Sequence, residues 1–237
     1  MLQGGFSSIL QATSREDFRC EVVRFTQDLG FDTMSAVMVV DCGAGRSEFV
    51  AIDNAPPGYA AAINDIPSMR RDPVMQHCRH HTLPIIWDQA TYTAKGLGEL
   101  WEEQARFGYR TGICLAMHLP DGRHFVLGVD RDKPLPVDSA ELTRIVADLQ
   151  LFAVYAQDAA LRVMSPITGR SERPKLTPRE LEALRWTMEG KTAWETGVIL
   201  GISERTAVLH INNAMHKLDC ASKHQAVLKA LRMGLID

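Results

Sequence analysis

Between Ser203 and Lys223, side chains able to make directional hydrogen bonds recur on one side of a helix. A spacing of four, three and four places Ala207, Ile211, Ala214 and Leu218 on an apolar stripe. The other side offers Arg205, Val208, Leu209, Asn212, Asn213, His216 and Lys217. In a major groove, arginine pairs bidentately with guanine and asparagine with adenine, whereas Val208 could only touch a thymine methyl. Lys191, Thr192, Thr206 and Lys223 stand near helix starts, where hydroxyls, ammonium groups and backbone N–H groups suit phosphates. The chemistry on offer is that of gripping and reading a duplex. The bland alternative is a four-helix bundle with a solvated polar face.

The elements that must hold this face are written in caps and turns. Thr177-Pro178-Arg179-Glu180 combines an N-cap hydroxyl, proline at the first helical position and glutamate two residues later. Gly190 closes that helix. Thr192-Ala193-Trp194-Glu195 is a second capping box, opening a short helix to about Leu200, and Gly201-Ile202-Ser203 makes a tight turn into the third helix. Ser222 begins a fourth helix, with Ala226, Val227, Ala230 and Leu231 expected inside. Two short helices joined by a glycine turn and braced on both sides describe a helix-turn-helix.

The first 164 residues read differently. Ser14 opens a helix whose Phe18, Val22, Phe25 and Leu29 share a face, ending at Gly30. Met34–Val40 and Glu48–Asp53 are expected strands about a Gly43-Ala-Gly45 turn. Gly112–Leu119 and His124–Val129 form a hairpin around Pro120-Asp-Gly. Short helices and connections fill residues 56–82, Leu83–Trp87 is a short apolar segment, and Gly98–Gly108 is helical. A long helix follows from Asp138 or Ser139 to about Val163, with Leu142, Ile145, Val146, Leu149, Phe152, Ala153 and Ala156 as its stripe. That stripe suits a core, and the helix could also serve a dimer. The expected fold is α+β: an N-terminal α/β/α sandwich with an antiparallel sheet, able to enclose a ligand, followed by an all-α four-helix helix-turn-helix domain. The boundaries are 1–164, a linker at 165–175 rich in proline and polar residues, and 176–237.

Composition narrows the function. Residues 175–237 hold nine Lys/Arg against seven Asp/Glu, and the remainder 17 against 22, so a mildly positive end follows an acidic body. No apolar run approaches the 18 or so residues of a membrane span, and the first residues show no basic and then apolar leader. Five cysteines without a C-x-x-C pair read as reduced thiols, and the expected location is cytoplasmic, away from membranes. His77-Cys78-Arg79-His80-His81 invites a metal reading, yet consecutive helical residues diverge and no second ligand pair has suitable spacing. No hydrolase, metalloprotease, P-loop or complete dinucleotide motif occurs, so neither catalytic residues nor a cofactor are assigned.

The run Leu176–Thr192, continued by Ile199–Thr206 and His210, resembles the LuxR-type DNA-binding domain, with Glu180, Leu184 and Gly190 at its signature positions. Asp72-Pro73-Val74, Leu83-Pro84-Ile85-Ile86-Trp87 and Gly108–Gly112 resemble the same family's autoinducer-binding domain. The resemblance covers nearly the whole chain. It implies a quorum-sensing regulator that binds an N-acyl homoserine lactone and promoter DNA as a homodimer, with RNA polymerase as a further partner. It implies ligand contacts from Tyr59, Ile63, Asp72, Val74, Trp87 and Trp101, with Asp72 accepting from the lactone amide and Trp87 lying against the ring. The DNA contacts would come from Lys191, Thr192, Arg205, Thr206, Val208, Leu209, Asn212, Asn213, His216 and Lys223.

This sequence also departs from the family pattern. Tyr59 stands where the family usually has tryptophan, Ile63 and Ala55 stand where it usually has tyrosines, and Val208 replaces a basic or amide residue. Losing two polar handles favours a larger or more apolar pocket and keeps open an orphan regulator, ligand-independent or differently liganded. A phosphorylated receiver is a further alternative, for which Asp41 and Asp53 alone are a poor acidic cluster.

Overall fold

The computed structural model describes residues 5–43, 46–63, 71–164 and 174–237. Two compact units divide the chain near Ser165 and Pro166. Most of the expected linker, residues 165–173, and the centre of the Gly43-Ala-Gly45 turn lie outside the described residues.

The larger unit is a five-stranded antiparallel sheet of β1 (Thr33–Gly43), β2 (Arg46–Asp53), β3 (Ile85–Trp87), β4 (Thr111–Leu119) and β5 (Arg123–Arg131), in the order β2-β1-β5-β4-β3. Alternation sends Phe125, Leu127 and Val129 of β5 to one face, with Ile113 and Leu115 of β4 and Met34, Ala36 and Met38 of β1. Helices α1 (Gly5–Leu10), α2 (Arg15–Asp28) and α7 (Ser139–Val163) cover this face, and Ala12, Phe31, Ile52 and Met164 complete the core from outside them. In α2 the Ser14 hydroxyl accepts from the Asp17 N–H while the Asp17 carboxylate accepts from the Ser14 N–H, a reciprocal cap at the helix start that the sequence placed at Ser14. In α7, Asp138 caps the start, and Leu149, Phe152, Ala153, Ala156, Ala159 and Ala160 are fully buried. Four alanines let the helix lie close to its neighbours, and the Phe152 ring stacks on Phe25 at 3.9 Å between centroids.

The opposite face of the sheet carries a second apolar cluster that includes Trp87, Cys114, Ala116 and Val126. Its further members come from α3 (Tyr59–Ile63), α4 (Pro73–His80), α5 (Gln89–Thr93) and α6 (Gly98–Ala105), with Tyr109 from the loop before β4. Helices therefore cover both faces, as the sequence implied. Two short helices, α1 and α5, had no counterpart in the sequence reading.

The smaller unit has helices α8 (Pro178–Met188), α9 (Ala193–Leu200), α10 (Glu204–Lys217) and α11 (Lys223–Arg232). Thr177 and Thr192 make complete capping boxes with Glu180 and Glu195, and Ser203 and Ser222 cap the last two helices. Gly201 ends α9 at φ 66°, a left-handed conformation that favours glycine. Ala207, Ile211, Ala214 and Leu218 are all buried, as are Ala226, Val227 and Ala230. Leu231 is a correction: at 39% exposed it lies on the rim of the bundle, because the apolar face of α11 is narrower than its sequence suggests. Among the described residues no helix is long and apolar enough to cross a membrane.

Candidate ligand and nucleic-acid sites

Asp72 precedes Pro73, which holds the first position of α4, and it sits at the N-cap with only 8% of its surface exposed. One carboxyl oxygen, Oδ1, accepts from the backbone N–H groups of Val74 at 2.8 Å and Met75 at 3.0 Å. The other, Oδ2, accepts from the Tyr92 hydroxyl at 3.0 Å and from Gln104 Nε2 at 3.2 Å. Asp72 therefore caps α4 through Oδ1 while Oδ2 is held by two side chains of the same layer. Burial first, and then the charge of Asp72, push the Tyr92 phenol far above its ordinary value, so this hydroxyl stays a donor.

Three more of the sequence candidates gather around the same layer. Trp87 is 4% exposed and meets Tyr92 edge to face, with centroids 5.7 Å apart. Val74 is buried in the cluster. Tyr59 stacks on Tyr109 at 4.1 Å and sets its edge against Phe107 at 5.6 Å. Burial raises both phenols, with further contributions from neighbouring Asp130. Trp101 packs at the margin of the cluster, where its indole N–H is committed to the Arg110 carbonyl at 3.0 Å. The side chain of Ile63 lies outside the described residues.

The sheet contributes groups that the sequence reading missed. Strand register aligns Trp87, Gly112, Asp130 and Thr33 in one row across β3, β4, β5 and β1. A β-carbon on Gly112 would stand 2.5 Å from Asp130 Oδ1 and 2.7 Å from Trp87 Nε1, so glycine is what lets these two side chains lean together. In the next row the Cys114 thiol lies 3.3 Å from Cys78 on α4. Sharing with Cys78, together with burial, raises the Cys114 thiol. The signal for Asp130 was present in the sequence: Val126, Gly128 and Asp130 alternate on one face of β5, but that face reads as solvated until the helices covering it are known.

The histidine-rich run forms no metal centre. His77 Nε2 donates to the Leu83 carbonyl at 2.8 Å, Cys78 faces Cys114, and no group of three metal-ligating side chains gathers among the described residues.

In the smaller unit, α10 leaves Arg205, Val208, Leu209, Asn212, Asn213 and His216 exposed, in the pattern expected of a groove-reading face. Lys223 is exposed at the start of α11, and Lys191 is half-buried ahead of α9. Two hydroxyls are already engaged at helix starts. Thr192 Oγ1 donates to Glu195 at 2.8 Å, and Thr206 Oγ1 lies 2.8 Å from the Ser203 hydroxyl. Lys217 is exposed, as read, and its ammonium group also reaches the buried Glu180 at 2.8 Å. A β-carbon on Gly197 would lie 2.9 Å from the Ile202 carbonyl and 3.1 Å from the Glu204 N–H, so glycine sets the closeness of α9 to the turn.

A sheet whose second face buries an aromatic layer around carboxyl groups, on one chain with a helix-turn-helix, defines a one-component regulator: a sensing unit joined to a reader. Residues 14–160 match the autoinducer binding domain and residues 174–230 match the bacterial regulatory proteins of the luxR family, and the chain belongs to that family of quorum-sensing transcriptional regulators, not enzymes. It is 36% identical over 168 residues to the quorum sensing-dependent transcriptional regulator RpaR of Rhodopseudomonas palustris, covering 70% of this chain and 66% of RpaR. It is 31% identical over 222 residues to the transcriptional activator SolR of Ralstonia nicotianae, covering 94% and 92%. The structure of Escherichia coli SdiA superposes with a TM-score of 0.78 at 26% identity, covering 97% of this chain and 95% of SdiA.

Proposed function

We propose that this regulator binds promoter DNA as a homodimer under the control of a small molecule held between the sheet and helices α3 to α6. The observation that carries the reading is the conjunction of Asp72, buried with an oxygen turned into an aromatic layer, and an α10 face exposing Arg205, Asn212 and Asn213. The family resemblance makes an N-acyl homoserine lactone the first ligand to test. Its amide N–H would join Tyr92 and Gln104 at Asp72 Oδ2, and its ring would lie on Trp87. Tyr59 and Val74 would flank it, with Trp101 at the margin; Ile63 is a contact that the family resemblance alone implies. For comparison, one solved SdiA structure carries octanoyl-rac-glycerol, a ligand that is not a lactone, at 25% identity to this chain.

On the reader, Arg205, Asn212 and Asn213 would address bases, Val208 and Leu209 thymine methyls, and Lys191, Thr192, Thr206, His216 and Lys223 the phosphates. Exposed Leu151 and Val154 on α7, and Leu228 and Leu231 on α11, favour self-association through these helices. RNA polymerase would be the downstream partner.

Thermal unfolding with an acyl homoserine lactone series, run beside operator binding, tests the assignment. A bound lactone raises the melting temperature by mass action and alters DNA affinity. If neither quantity moves, the lactone assignment fails. A second reading, an orphan regulator with another ligand or none, is favoured by Ala55 and Tyr59, which remove or exchange polar handles.

A further inference from the structure

Asp130 is the buried group that this reading does not use. It is 7% exposed, and no hydrogen bond among the described residues ends on its carboxyl oxygens, although its backbone carbonyl pairs normally with β1. Asp72, by contrast, has donors on both oxygens. A nearly buried carboxyl group on which no side chain or backbone donor ends is open to a donor from outside the protein. Gly112 makes room for it, since any β-carbon there would collide with Asp130 Oδ1.

The surroundings state what partner fits. The buried polar residues of this unit are Thr26, Thr33, Asp72, Gln104 and Asp130, with no cationic side chain among the described ones. The same layer holds the rings of Tyr59, Trp87, Tyr92 and Tyr109. A carboxyl group within aromatic walls is the chemistry that receives an ammonium group, through a charge-assisted hydrogen bond and the ring faces. From this geometry we propose that the small molecule carries a basic nitrogen, a primary or secondary amine, received by Asp130 as the specificity-determining residue beside Trp87 and Gly112. The inference rests on the reading of this layer as the ligand site and sharpens its ligand class. Burial and then the charge of Asp72 raise the Asp130 carboxyl well above its ordinary value, and an incoming amine would set a positive charge beside it.

Full-length protein, as wild type and as Asp130→Asn and Asp130→Ser, is titrated with the octanoyl amide of ethylenediamine, the octanoyl amide of ethanolamine and octanoyl homoserine lactone, following melting temperature and calorimetric affinity. The diamine amide is expected to bind wild type about tenfold or more tightly than its neutral ethanolamine isostere, the scale of one charged hydrogen bond. Both variants lose that preference and bind the two amides alike, while their unliganded melting temperatures equal or exceed that of wild type. Equal binding of the two amides, persistence of the preference in the variants, or unfolding of both variants would overturn the proposal. Binding of the lactone with no amine preference leaves the sensor reading standing and removes this inference alone. Failure of all three compounds removes both.

Discussion

Glu180 and Lys217 meet at 2.8 Å, joining the first turn of α8 to the last turn of α10. The Glu180 carboxylate is nearly buried and also accepts from the Thr177 N–H, so one side chain both caps a helix and anchors the reading helix. This pairing gives a signature residue a physical role: it ties α8 to α10.

Burial alone would raise the Glu180 carboxyl, but Lys217 and the Thr177 cap hold it below the ordinary glutamate value of 4.5. A depressed folded value means that the pair's contribution is complete above the ordinary value and is lost as pH falls through the depressed one. Chemical denaturation as a function of pH is expected to show this loss, and Glu180→Gln to flatten it. At neutral pH, Glu180→Gln costs about 1–2 kcal/mol, at the lower end for a charged hydrogen bond because Lys217 is 38% exposed. An unchanged pH profile in the variant would show that the pair contributes nothing.

Gly112→Ala places a methyl group 2.5 Å from Asp130 Oδ1, 2.6 Å from the Val129 carbonyl and 2.7 Å from Trp87 Nε1. The carbonyl belongs to the neighbouring strand and cannot swing away as a flexible side chain would. Overpacking of this kind costs roughly 1–3 kcal/mol. Denaturant midpoints are expected to fall by a corresponding amount, with loss of any ligand response even under conditions where the variant stays folded. A variant as stable and as responsive as wild type would show that the row from Trp87 to Thr33 is loosely built.

Gly197→Ala addresses the turn between α9 and α10. Its methyl group would meet only backbone: the Ile202 carbonyl at 2.9 Å, the Glu204 nitrogen at 3.1 Å and the Ser203 carbonyl carbon at 3.2 Å. Relief requires the two helices to part. DNA affinity is therefore expected to drop at least as steeply as stability, and mobility shifts on a cognate operator measure it. Retained operator affinity would mean that α9 and α10 tolerate the separation.

The smaller unit was almost wholly legible in its sequence because its signals are local. Thr177, Thr192, Ser203 and Ser222 each cap a helix within three residues, and Gly201 closes one at a positive φ. Lys217 is exposed as read, but its ion pair was not legible because its partner, Glu180, lies 37 residues away. In the larger unit the long α7 was readable from Asp138 and its stripe, whereas α5 has only five residues and no room for a periodicity. Asp130 escaped for a different reason. Alternating Leu127, Gly128, Val129 and Asp130 look like a strand with one wet face, and only the helices of the second layer make that face dry. Asp72 was legible only through the family resemblance of Asp72-Pro73-Val74, since Tyr92 and Gln104 are distant in sequence.

The α10 face divides its labour by residue type, which gives the last prediction. Asn212 is exposed in the middle of the helix, where the proposed reading pairs it with an adenine edge, while Lys191 stands before the capped start of α9, where that reading gives it backbone phosphates. Asn212→Ala should lower affinity for a cognate operator by about 1–3 kcal/mol while barely changing affinity for random duplex, so discrimination shrinks. Lys191→Ala should weaken both duplexes alike and reduce the salt dependence by about one counterion. Titrations of both variants on both duplexes across a range of salt separate the cases. Equal losses on cognate and random DNA for both substitutions would mean that neither side chain reads sequence, and base recognition would then fall to Arg205 and Asn213.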